Sequence, residues 1–369
     1  MCSNRLPKQS TLSDVAALAG VSAQTVSRVV NRTGVVAQET RARVEQAIAE
    51  LGYRPNSVAR SLVNRQSKTL GLIVTDFAQG FFPDTTRTIE REAAEHGYAV
   101  YMVTVSDDAQ RIRTAFDRLR DDRFAGVIVN TSTAGYEIDL QRAASEGFPI
   151  VLVHEELAGV PAVIHWSGFR TGARMAVEHL ISIGRRQIAF LATPNMTLID
   201  QDKLTGYREA LAEAQLPFDP SLVVKSPRDF QGGYVAMADL LLRHADVDAC
   251  FVASDVRAVG VLRYLALHGI DVPGEIAIVA FGASTMASMV TPSLSTIRVP
   301  RRLIGQLAVQ SLLEMLGGAP GTPRHVHQQP ELVLGESSLA GRNLPTRLPT
   351  AAGLGPDRDG DRREAVPLQ

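Results

Sequence analysis

Cysteine is almost absent from this chain of 369 residues, which contains two, Cys2 and Cys250. Their separation fits no metal or redox spacing, so we interpret both as free thiols in a reducing compartment. The sequence also lacks the apolar N-terminal core of a signal peptide and any apolar run of about 18 residues. These absences predict a cytoplasmic protein that is neither secreted nor inserted into a membrane.

Motifs for nucleotide cofactors and metals are missing as well. The sequence has no Gly-x-Gly-x-x-Gly or Gly-x-x-x-x-Gly-Lys-Ser/Thr phosphate loop. His325 and His327 lie in a Pro-rich stretch without a cysteine or carboxylate cluster, which disfavours metal ligation. His154, Glu155 and Glu156 could mimic a catalytic group, but no nucleophile lies near them in sequence, and we interpret them as a solvated loop. We therefore expect no enzyme, no cofactor and no metal.

Charge is unevenly distributed, although the net charge of the whole chain is −1. Residues 1–68 contain ten Lys or Arg and four Asp or Glu, so this segment carries +6 and the remainder −7. A basic end on a mildly acidic body suggests a polyanion partner for that end. Charge alone would fit a solvated basic face equally well.

The basic segment has the spacing of a helix-turn-helix. Residues 12–19 predict a first helix, Gly20 supplies a turn with positive φ, and Ser22 is a suitable N-cap for a second helix ending near Asn31. A third helix over 38–51 would close a small core. The second helix of such a unit enters the DNA major groove with its N-terminal residues forward.

Polar side chains on that second helix suit DNA readout. Gln can bond adenine and Arg can bond guanine, each with about 1–3 kcal/mol of discrimination. Thr11, Ser27 and Asn31 suit phosphate contacts, which position the protein. The expected groove-facing residues are Ala23, Gln24, Thr25, Ser27, Arg28 and Asn31.

From Thr69 onward, short Val/Ile/Leu runs alternate with amphipathic helical segments. The predicted strands are 70–74, 99–104, 126–130, 150–153, 188–192, 249–253 and 276–280. The predicted helices include 82–96, 171–183, 203–214, 256–267 and 301–316. Alternating strands and helices predict doubly wound parallel sheets, and the number of units favours two α/β lobes.

Collinear motifs run along most of the chain. They are Thr-Leu-Ser-Asp-Val-Ala at 11–16, Gly-Val-Ser at 20–22, Thr-Val-Ser-Arg-Val-Val-Asn at 25–31, Gly-Tyr-Arg-Pro-Asn at 52–56, Val-Ala-Arg-Ser-Leu at 58–62, Gly-Leu-Ile-Val at 71–74, Phe-Phe at 81–82, His-Leu at 179–180 with Gly184, Gly-Tyr at 206–207, Ala-Ser-Asp at 253–255, Pro-Ser-Leu-Ser-Thr-Ile at 292–297 and Pro-Glu-Leu-Val at 330–333. In these motifs, residues 11–341 resemble the LacI–GalR (lactose/galactose repressor) family.

The resemblance implies a homodimer whose two-lobed, effector-binding bodies are similar to periplasmic sugar-binding proteins. It also implies a hinge helix, here residues 56–62, that folds on double-stranded operator DNA. Leu62 matches the family's wedge residue, which kinks DNA by insertion at a base step; alternatively, Leu62 packs on the protein's own core. Two-fold dimers read the half-sites of a pseudo-palindrome.

Together, these arguments give the predicted DNA contacts and domains. The DNA contacts are Thr11, Leu12, Ser22, Ala23, Gln24, Thr25, Ser27, Arg28, Asn31, Tyr53, Asn56, Val58, Ala59, Arg60 and Leu62. The domains are a flexible N-terminus (1–10), a helix-turn-helix domain (11–55), a hinge and linker (56–68), an effector-binding and dimerisation body (69–341) and a disordered tail (342–369). The first lobe of the body would comprise about 69–167 and 298–328, and the second about 168–297 and 329–341.

Open α/β sheets bind ligands beyond the carboxyl ends of their strands. The predicted effector-binding residues are Asp76, Phe81, Phe82, Asn130, Lys203, Phe230, Ser254, Asp255 and Gly282. By the resemblance, Phe81 and Phe82 pack on the effector, and their rings would suit a sugar or a base; alternatively they cap a lobe.

The polar anchors depart from the family pattern. Lys203 stands where many members have an arginine, and it lacks the planar fork. Gly282 and Ala283 replace an Asp-Asp pair whose first member bonds sugar hydroxyls. Asp255 is retained, but it could instead cap the helix that follows. A different effector, a reshaped pocket and the loss of effector control are the open explanations, and we favour a metabolite that does not use the usual sugar clamp.

The leading hypothesis is a dimeric repressor of a pseudo-palindromic operator, controlled by a small molecule and associated with the nucleoid. Two alternatives stay open: an activator of the same family, and a cytosolic α/β binding module or enzyme with an incidental basic end. DNA affinity that falls steeply with salt, and that depends on Gln24 and Arg28, would separate a regulator from the last alternative.

Overall fold

The computed structural model describes residues 10–31, 33–53, 67–75, 82–105, 109–121, 124–131, 136–194 and 197–339. The chain divides into two compact units, Met1–Lys68 and Thr69–Gln369, which we call the headpiece and the body. The predicted hinge at 56–62 and the predicted tail at 342–369 lie outside the described residues.

The headpiece consists of three helices in its described part: α1 (Leu12–Ala19), α2 (Ala23–Asn31) and α3 (Gln38–Glu50). Helix α1 begins with a capping box, in which Thr11 Oγ1 accepts from the Asp14 amide at 3.3 Å and the Asp14 carboxylate accepts from the Thr11 amide at 2.7 Å. These two bonds satisfy backbone donors that the first helical turn leaves free.

One fully buried valine from each helix forms the centre of the headpiece: Val15, Val26 and Val44. Gly20 ends α1 with φ of 64°, and the chain then turns into α2. Ala37 precedes α3 without a side-chain capping bond. The predicted helix-turn-helix with a third supporting helix is confirmed.

The body contains twelve strands and nine α-helices among the described residues. The strands are β1 Thr69–Thr75, β2 Ala99–Val105, β3 Gly126–Asn130, β4 Ile150–Val153, β5 Ala162–Trp166, β6 Ile188–Ala192, β7 Val223–Lys225, β8 Ala249–Val252, β9 Ala277–Gly282, β10 Ser295–Arg298, β11 Arg324–Val326 and β12 Glu331–Val333. The helices are α4 Phe82–Glu95, α5 Ala109–Asp121, α6 Glu137–Ser145, α7 Gly168–Ser182, α8 Leu198–Glu213, α9 Phe230–Arg243, α10 Asp255–Leu267, α11 Thr285–Met289 and α12 Arg301–Leu316.

The strands form two six-stranded sheets of equivalent order, β11-β5-β4-β3-β1-β2 and β12-β10-β9-β8-β6-β7. Neighbouring strands are parallel in both sheets, except that β12 runs antiparallel to β10. The predicted pair of doubly wound sheets is thus confirmed, with β12 as the exception. Strands β7, β11 and β12 have three residues each and lie at sheet edges, so they were too short to be predicted from an apolar run.

The inner strands β3, β6 and β9 are buried along their whole length. Helices cover both faces of a doubly wound sheet, and its inner strands are therefore continuous apolar runs. One apolar cluster contains residues of both sheets, including Leu72 of β1 and Phe251 of β8. The two lobes of the body therefore share a continuous core.

The chain passes between the sheets after β5, after β10 and after β11. Near the first of these crossings, aromatic rings from both lobes meet. Trp166 lies 4.8 Å from Phe169 and 6.3 Å from Phe281 between ring centres, and Phe169 lies 5.9 Å from Phe281. This aromatic cluster stands at the carboxyl ends of β5 and β9, where ligands of such sheets bind.

Candidate functional site

The outer face of α2 is polar and exposed, while its inner face carries the buried Val26 and Val29. Ser22 accepts a hydrogen bond from the Thr25 amide at 3.2 Å, as expected of an N-cap, and its hydroxyl lies 2.9 Å from that of Thr25. Ala23 and Gln24 follow it on the exposed surface. The N-terminal end of α2 is therefore open to a partner.

Arg28 is exposed one turn further along α2. Its Cδ would lie 3.7 Å from a Cβ atom at Gly34, so its aliphatic stem runs close to the loop after α2. Thr25 and Ser27 are half-buried beside it. The side chain of Asn31 lies outside the described part of the headpiece.

Three other predicted DNA contacts have structural roles in the headpiece. The Thr11 hydroxyl is part of the capping box, and Leu12 and Tyr53 are half-buried against the core. Contact with DNA at these positions stays a prediction. The remaining predicted contacts lie outside the described residues: Asn56, Val58, Ala59, Arg60 and Leu62.

In the body, several predicted effector residues gather at the carboxyl ends of strands. Asn130 ends β3, is buried, and has an amide nitrogen without a hydrogen-bond partner among the described residues. Phe230 is 40% exposed at the start of α9. Asp76, Phe81 and the side chain of Phe82 are outside the described part of the chain.

Lys203 lies inside the body, with 7% of its surface exposed. Its Nζ donates to the carbonyl of Ala253 at 3.1 Å and lies 4.4 Å from the centre of the Phe281 ring and 5.6 Å from that of Phe169. Burial lowers the pKa of Lys203 to about 8, and the nearby Asp200 opposes this shift. The ammonium group is therefore held by ring faces and one carbonyl, and the charge of Asp200 also stabilises it.

Helix packing places Lys203 at this point. Three residues along α8, a Cβ at Gly206 would lie 2.1 Å from the carbonyl oxygen of Arg170 in α7. Glycine therefore permits a close crossing of the two helices. Tyr207 follows, and its hydroxyl donates to the carbonyl of Ile188 in β6 at 2.8 Å. The Gly-Tyr motif thus fixes α8 against both α7 and the second sheet.

Asp200 lies one helical turn before Lys203 and is 1% exposed. It accepts hydrogen bonds from the hydroxyls of Thr193 and Thr197, and Arg228 Nη2 lies 3.6 Å from its carboxylate. Burial would raise the pKa of Asp200, but Lys203, Arg228 and the two hydroxyls outweigh it, and the pKa is lowered. The group is therefore a buried, ionised carboxylate.

Asp255 does not act as the N-cap of α10. The N-cap is Ser254, which makes no side-chain capping bond. The Asp255 carboxylate instead accepts from the Ser284 amide and from Thr296 Oγ1, each at 2.6 Å. Asp255 therefore ties α10 to β10 and to the loop after β9.

Gly282 lies directly beside this carboxylate. A Cβ atom there would be 2.8 Å from Asp255 Oδ2 and 2.9 Å from Arg301 Nη2, and φ of Gly282 is 145°. Arg301 is itself buried, and its Nη1 lies 3.8 Å from Asp84 of the first lobe. Asp255 and Arg301 therefore occupy the space into which an aspartate at 282 would have to fit.

Several residues of this site were not predicted from the sequence. Trp166, Phe169 and Asp200 lie in or beside elements that the apolar runs did not reveal, and Phe281 lies one residue beyond the predicted strand 276–280. His154 is buried with φ of 69°, and its ring lies 5.2 Å from that of Phe169. Burial, followed by His165 and Lys203, lowers its pKa to about 3. The solvated-loop interpretation is therefore wrong for His154, whereas Glu156 is exposed.

Two families match the sequence. Residues 11–56 match the family described as "Bacterial regulatory proteins, lacI family", and residues 177–338 match the "Periplasmic binding protein-like domain". In the described part of the chain, no helix combines the length and apolar character needed to cross a membrane.

Relatives extend the match over most of the chain. The ribose operon repressor of Haemophilus influenzae is 31% identical over 327 residues, which are 89% of this chain and 98% of the relative. The lac repressor dimer bound to operator and the anti-inducer ONPF has a TM-score of 0.78 at 30% identity, covering 90% of this chain and 100% of that one. The transcriptional regulator CelR–cellobiose complex has a TM-score of 0.67 at 31% identity, covering 89% and 100%.

Proposed function

This chain belongs to the LacI family of bacterial regulatory proteins, and we propose that it is a sequence-specific, DNA-binding repressor that acts as a homodimer under the control of a small-molecule effector. The proposal assigns the chain no catalytic role. It places the protein in the cytoplasm, at the nucleoid, because its partner is chromosomal operator DNA.

The observation that carries the proposal is the polar, exposed face of α2. Gln24 and Arg28 project from a helix whose opposite side is anchored by Val26 and Val29. A helix held in this way presents its polar side chains to the base edges of a major groove. The lac repressor dimer, which resembles this chain along most of its length, is bound to operator in its structure.

The body supports the second half of the proposal. Buried polar atoms without hydrogen-bond partners among the described residues, such as Asn130 Nδ2 and Ser254 Oγ, lie at the carboxyl ends of β3 and β8. Polar atoms left unpaired in a protein interior are a cost that a bound ligand removes. We accordingly assign the helix-turn-helix domain to residues 11–55, the hinge helix and linker to 56–68, and effector binding and dimerisation to 69–341.

The test begins with selection of genomic fragments by the purified full-length protein. Affinity for a selected fragment and for a scrambled one is then measured by fluorescence anisotropy between about 50 and 200 mM salt, where a protein with 6–10 phosphate contacts loses roughly 10³–10⁵ in affinity. We expect a steep salt dependence and a clear preference for the selected fragment. Salt-independent binding without sequence preference would overturn the proposal.

Two variants test whether the sequence preference depends on α2. Gln24→Ala and Arg28→Ala should reduce the preference for the selected fragment by roughly 1–3 kcal/mol each, because direct base contacts carry specificity. Arg43→Ala is the matched control, since Arg43 is exposed on α3 and carries the same charge as Arg28. Its loss should change affinity for both fragments equally.

A further inference from the structure

Arg257 is a buried cation in the second lobe and is not one of the predicted effector-binding residues. It lies in the first turn of α10, and its side chain is 0% exposed. Its Nη1 donates to the carbonyl of Leu191 at 2.8 Å, and its Nε donates to that of Pro227 at 3.1 Å. These bonds hold the guanidinium at the carboxyl ends of β6 and β7.

The third nitrogen of this guanidinium, Nη2, is buried and has no hydrogen-bond partner among the described residues. No carboxylate of the described residues forms an ion pair with Arg257 either. A buried charge without a counter-ion is strongly unfavourable in a protein interior. Arginine cannot escape this by losing its proton at neutral pH, even though burial and the nearby Arg228 lower the pKa of Arg257 to about 10.

Two further cationic side chains lie near Arg257. Arg228 is in the segment after β7, and Lys203 reaches the edge of the second sheet from α8. Both Arg228 and Arg257 contribute to the lowered pKa of Lys203, after the larger effect of burial. The three positive groups therefore lie within electrostatic reach of one another.

The carboxylates nearby already have partners. Asp200 accepts from two threonine hydroxyls and pairs with Arg228. Asp229 accepts from the Gly232 amide at 2.6 Å and caps α9. Asp255 is held by Ser284 and Thr296, and it neighbours a fourth cation, Arg301. None of these carboxylates forms a hydrogen bond or an ion pair with Arg257 among the described residues.

Neutral hydrogen-bonding groups lie in the same segment of chain. Ser226, which directly precedes the Pro227 carbonyl that binds Arg257, has a buried hydroxyl without a partner among the described residues. The α9 helix, with fourteen residues, begins three positions after Pro227. The amino end of a helix favours negative charge, as do a guanidinium fork and a free hydroxyl.

From these observations we propose that the effector carries an anionic group, a phosphate or a carboxylate, that binds between Arg257, Arg228 and the Ser226 hydroxyl. The inference rests on the proposed function, since it names the chemical class of the effector for that site. An anion supplies the counter-charge that Arg257 lacks and an acceptor for both Nη2 and Ser226. A neutral sugar supplies no counter-charge.

The test measures ligand binding to the full-length protein by isothermal titration and by the shift in Tm, at constant ionic strength. The probes are inorganic phosphate, ribose 5-phosphate and gluconate, each sugar compared with its neutral counterpart, ribose or glucose. We expect saturable binding and a rise in Tm for an anionic probe and not for its neutral counterpart. Phosphate and gluconate separate the two sources of the anion.

Arg257→Met should weaken binding of the anionic probe by roughly tenfold or more, because hydrogen bonds to charged groups contribute about 1.5–3 kcal/mol. Arg228→Met, at a side chain 38% exposed, repeats the test at a less buried position should Arg257→Met fail to fold. Arg243→Met is the matched control: this exposed arginine pairs with Asp239 on α9, and its loss should leave probe affinity unchanged.

Equal binding of neutral and anionic sugars, no binding of any anionic probe, or wild-type affinity in both Arg257→Met and Arg228→Met would overturn the inference. Operator binding by the wild-type protein is measured in the same preparations. If sequence-specific operator binding persists without any anion effect, this inference fails and the repressor proposal stands. If operator binding itself is absent, the repressor proposal fails, whatever the probes show.

Discussion

The Nζ atom of Lys203 lies 4.4 Å from the centre of the Phe281 ring, over its face. The negative face of an aromatic ring stabilises a cation, but burial removes the water that would stabilise it better. For Lys203 the loss of water is the larger effect, and its pKa falls from 10.5 to about 8. The charge of this lysine therefore opposes folding at neutral pH.

This shift predicts a pH dependence with a definite sign. Between about pH 8 and 10.5 the unfolded chain keeps the proton on Lys203 that the folded chain has released, so the free energy of unfolding should rise with pH. The slope should approach about 1.4 kcal/mol per pH unit. Urea unfolding of wild type and Lys203→Met at several pH values measures it, because the difference between them cancels the other titrating groups. Parallel pH profiles for the two proteins would contradict the prediction.

The crowding at Gly282 predicts that even a methyl group is poorly tolerated there. Gly282→Ala adds a Cβ within 2.8 Å of Asp255 Oδ2, at φ of 145°. Gly269→Ala is the control, because Gly269 also has positive φ, 68°, but nothing lies within 4 Å of a Cβ there. Gly269→Ala should lose roughly 1 kcal/mol to backbone strain, and Gly282→Ala at least as much, because φ of 145° lies outside the left-handed region that other residues can adopt. We expect Gly282→Ala to lose at least about 1 kcal/mol more in denaturant unfolding; equal losses would show that the neighbours yield.

Asp255 and Arg301 should be energetically coupled across the two lobes. Asp255→Asn leaves the buried Arg301 with less compensating charge, and the loss of stability should exceed the roughly 0.5 kcal/mol that an exposed pair contributes. In an Arg301→Met background the same change should cost much less, since the buried cation is gone. A double-mutant cycle from unfolding free energies measures the difference.

The control for this cycle is Asp239→Asn, which breaks the exposed pair between Asp239 and Arg243. Such surface pairs contribute at most about 0.5 kcal/mol. Additive effects of Asp255→Asn and Arg301→Met would show that Arg301 relies on Asp84 instead.

A structural element can be predicted from the sequence when the interactions that form it join residues close together in the chain. The first two helices of the headpiece were predictable, because Gly20 and Ser22 act on residues close to them in sequence. Strand β5 was missed, since its His165 interrupts the apolar run, although Ile164 and Trp166 on either side of it are buried.

The chemistry of the body depends on distant partners. Lys203 was predicted at the site from the family resemblance, because it stands where many members have an arginine, but its burial under Phe281 depends on a residue of a distant strand. Arg257 gave no signal, because its acceptors, Leu191 and Pro227, are distant in sequence. The absence of a side chain at Gly282 becomes intelligible only once Asp255 and Arg301 are seen beside it.

The capping box at the start of α1 should contribute measurably to headpiece stability. Thr11→Ala removes the acceptor for the Asp14 amide, and loss of such a cap costs about 1 kcal/mol. Thr11→Ser should restore most of the loss because it keeps the hydroxyl. Ser13→Ala, at an exposed neighbour, is the control. The protection of α1 amides against hydrogen exchange measures this loss. Unchanged protection in Thr11→Ala would show that the cap is dispensable.

The proposed wedge residue, Leu62, separates DNA affinity from headpiece stability. Insertion of an apolar side chain bends DNA and costs a few kcal/mol per base step, offset by the extra contacts that the bend permits. Leu62→Ala should therefore weaken operator binding and reduce DNA bending, measured by anisotropy and by energy transfer between labelled DNA ends. Leu51→Ala is the contrasting variant, since Leu51 packs against the headpiece core and its truncation should lower headpiece stability. If Leu62→Ala instead lowered headpiece stability and left bending intact, Leu62 would be a core residue.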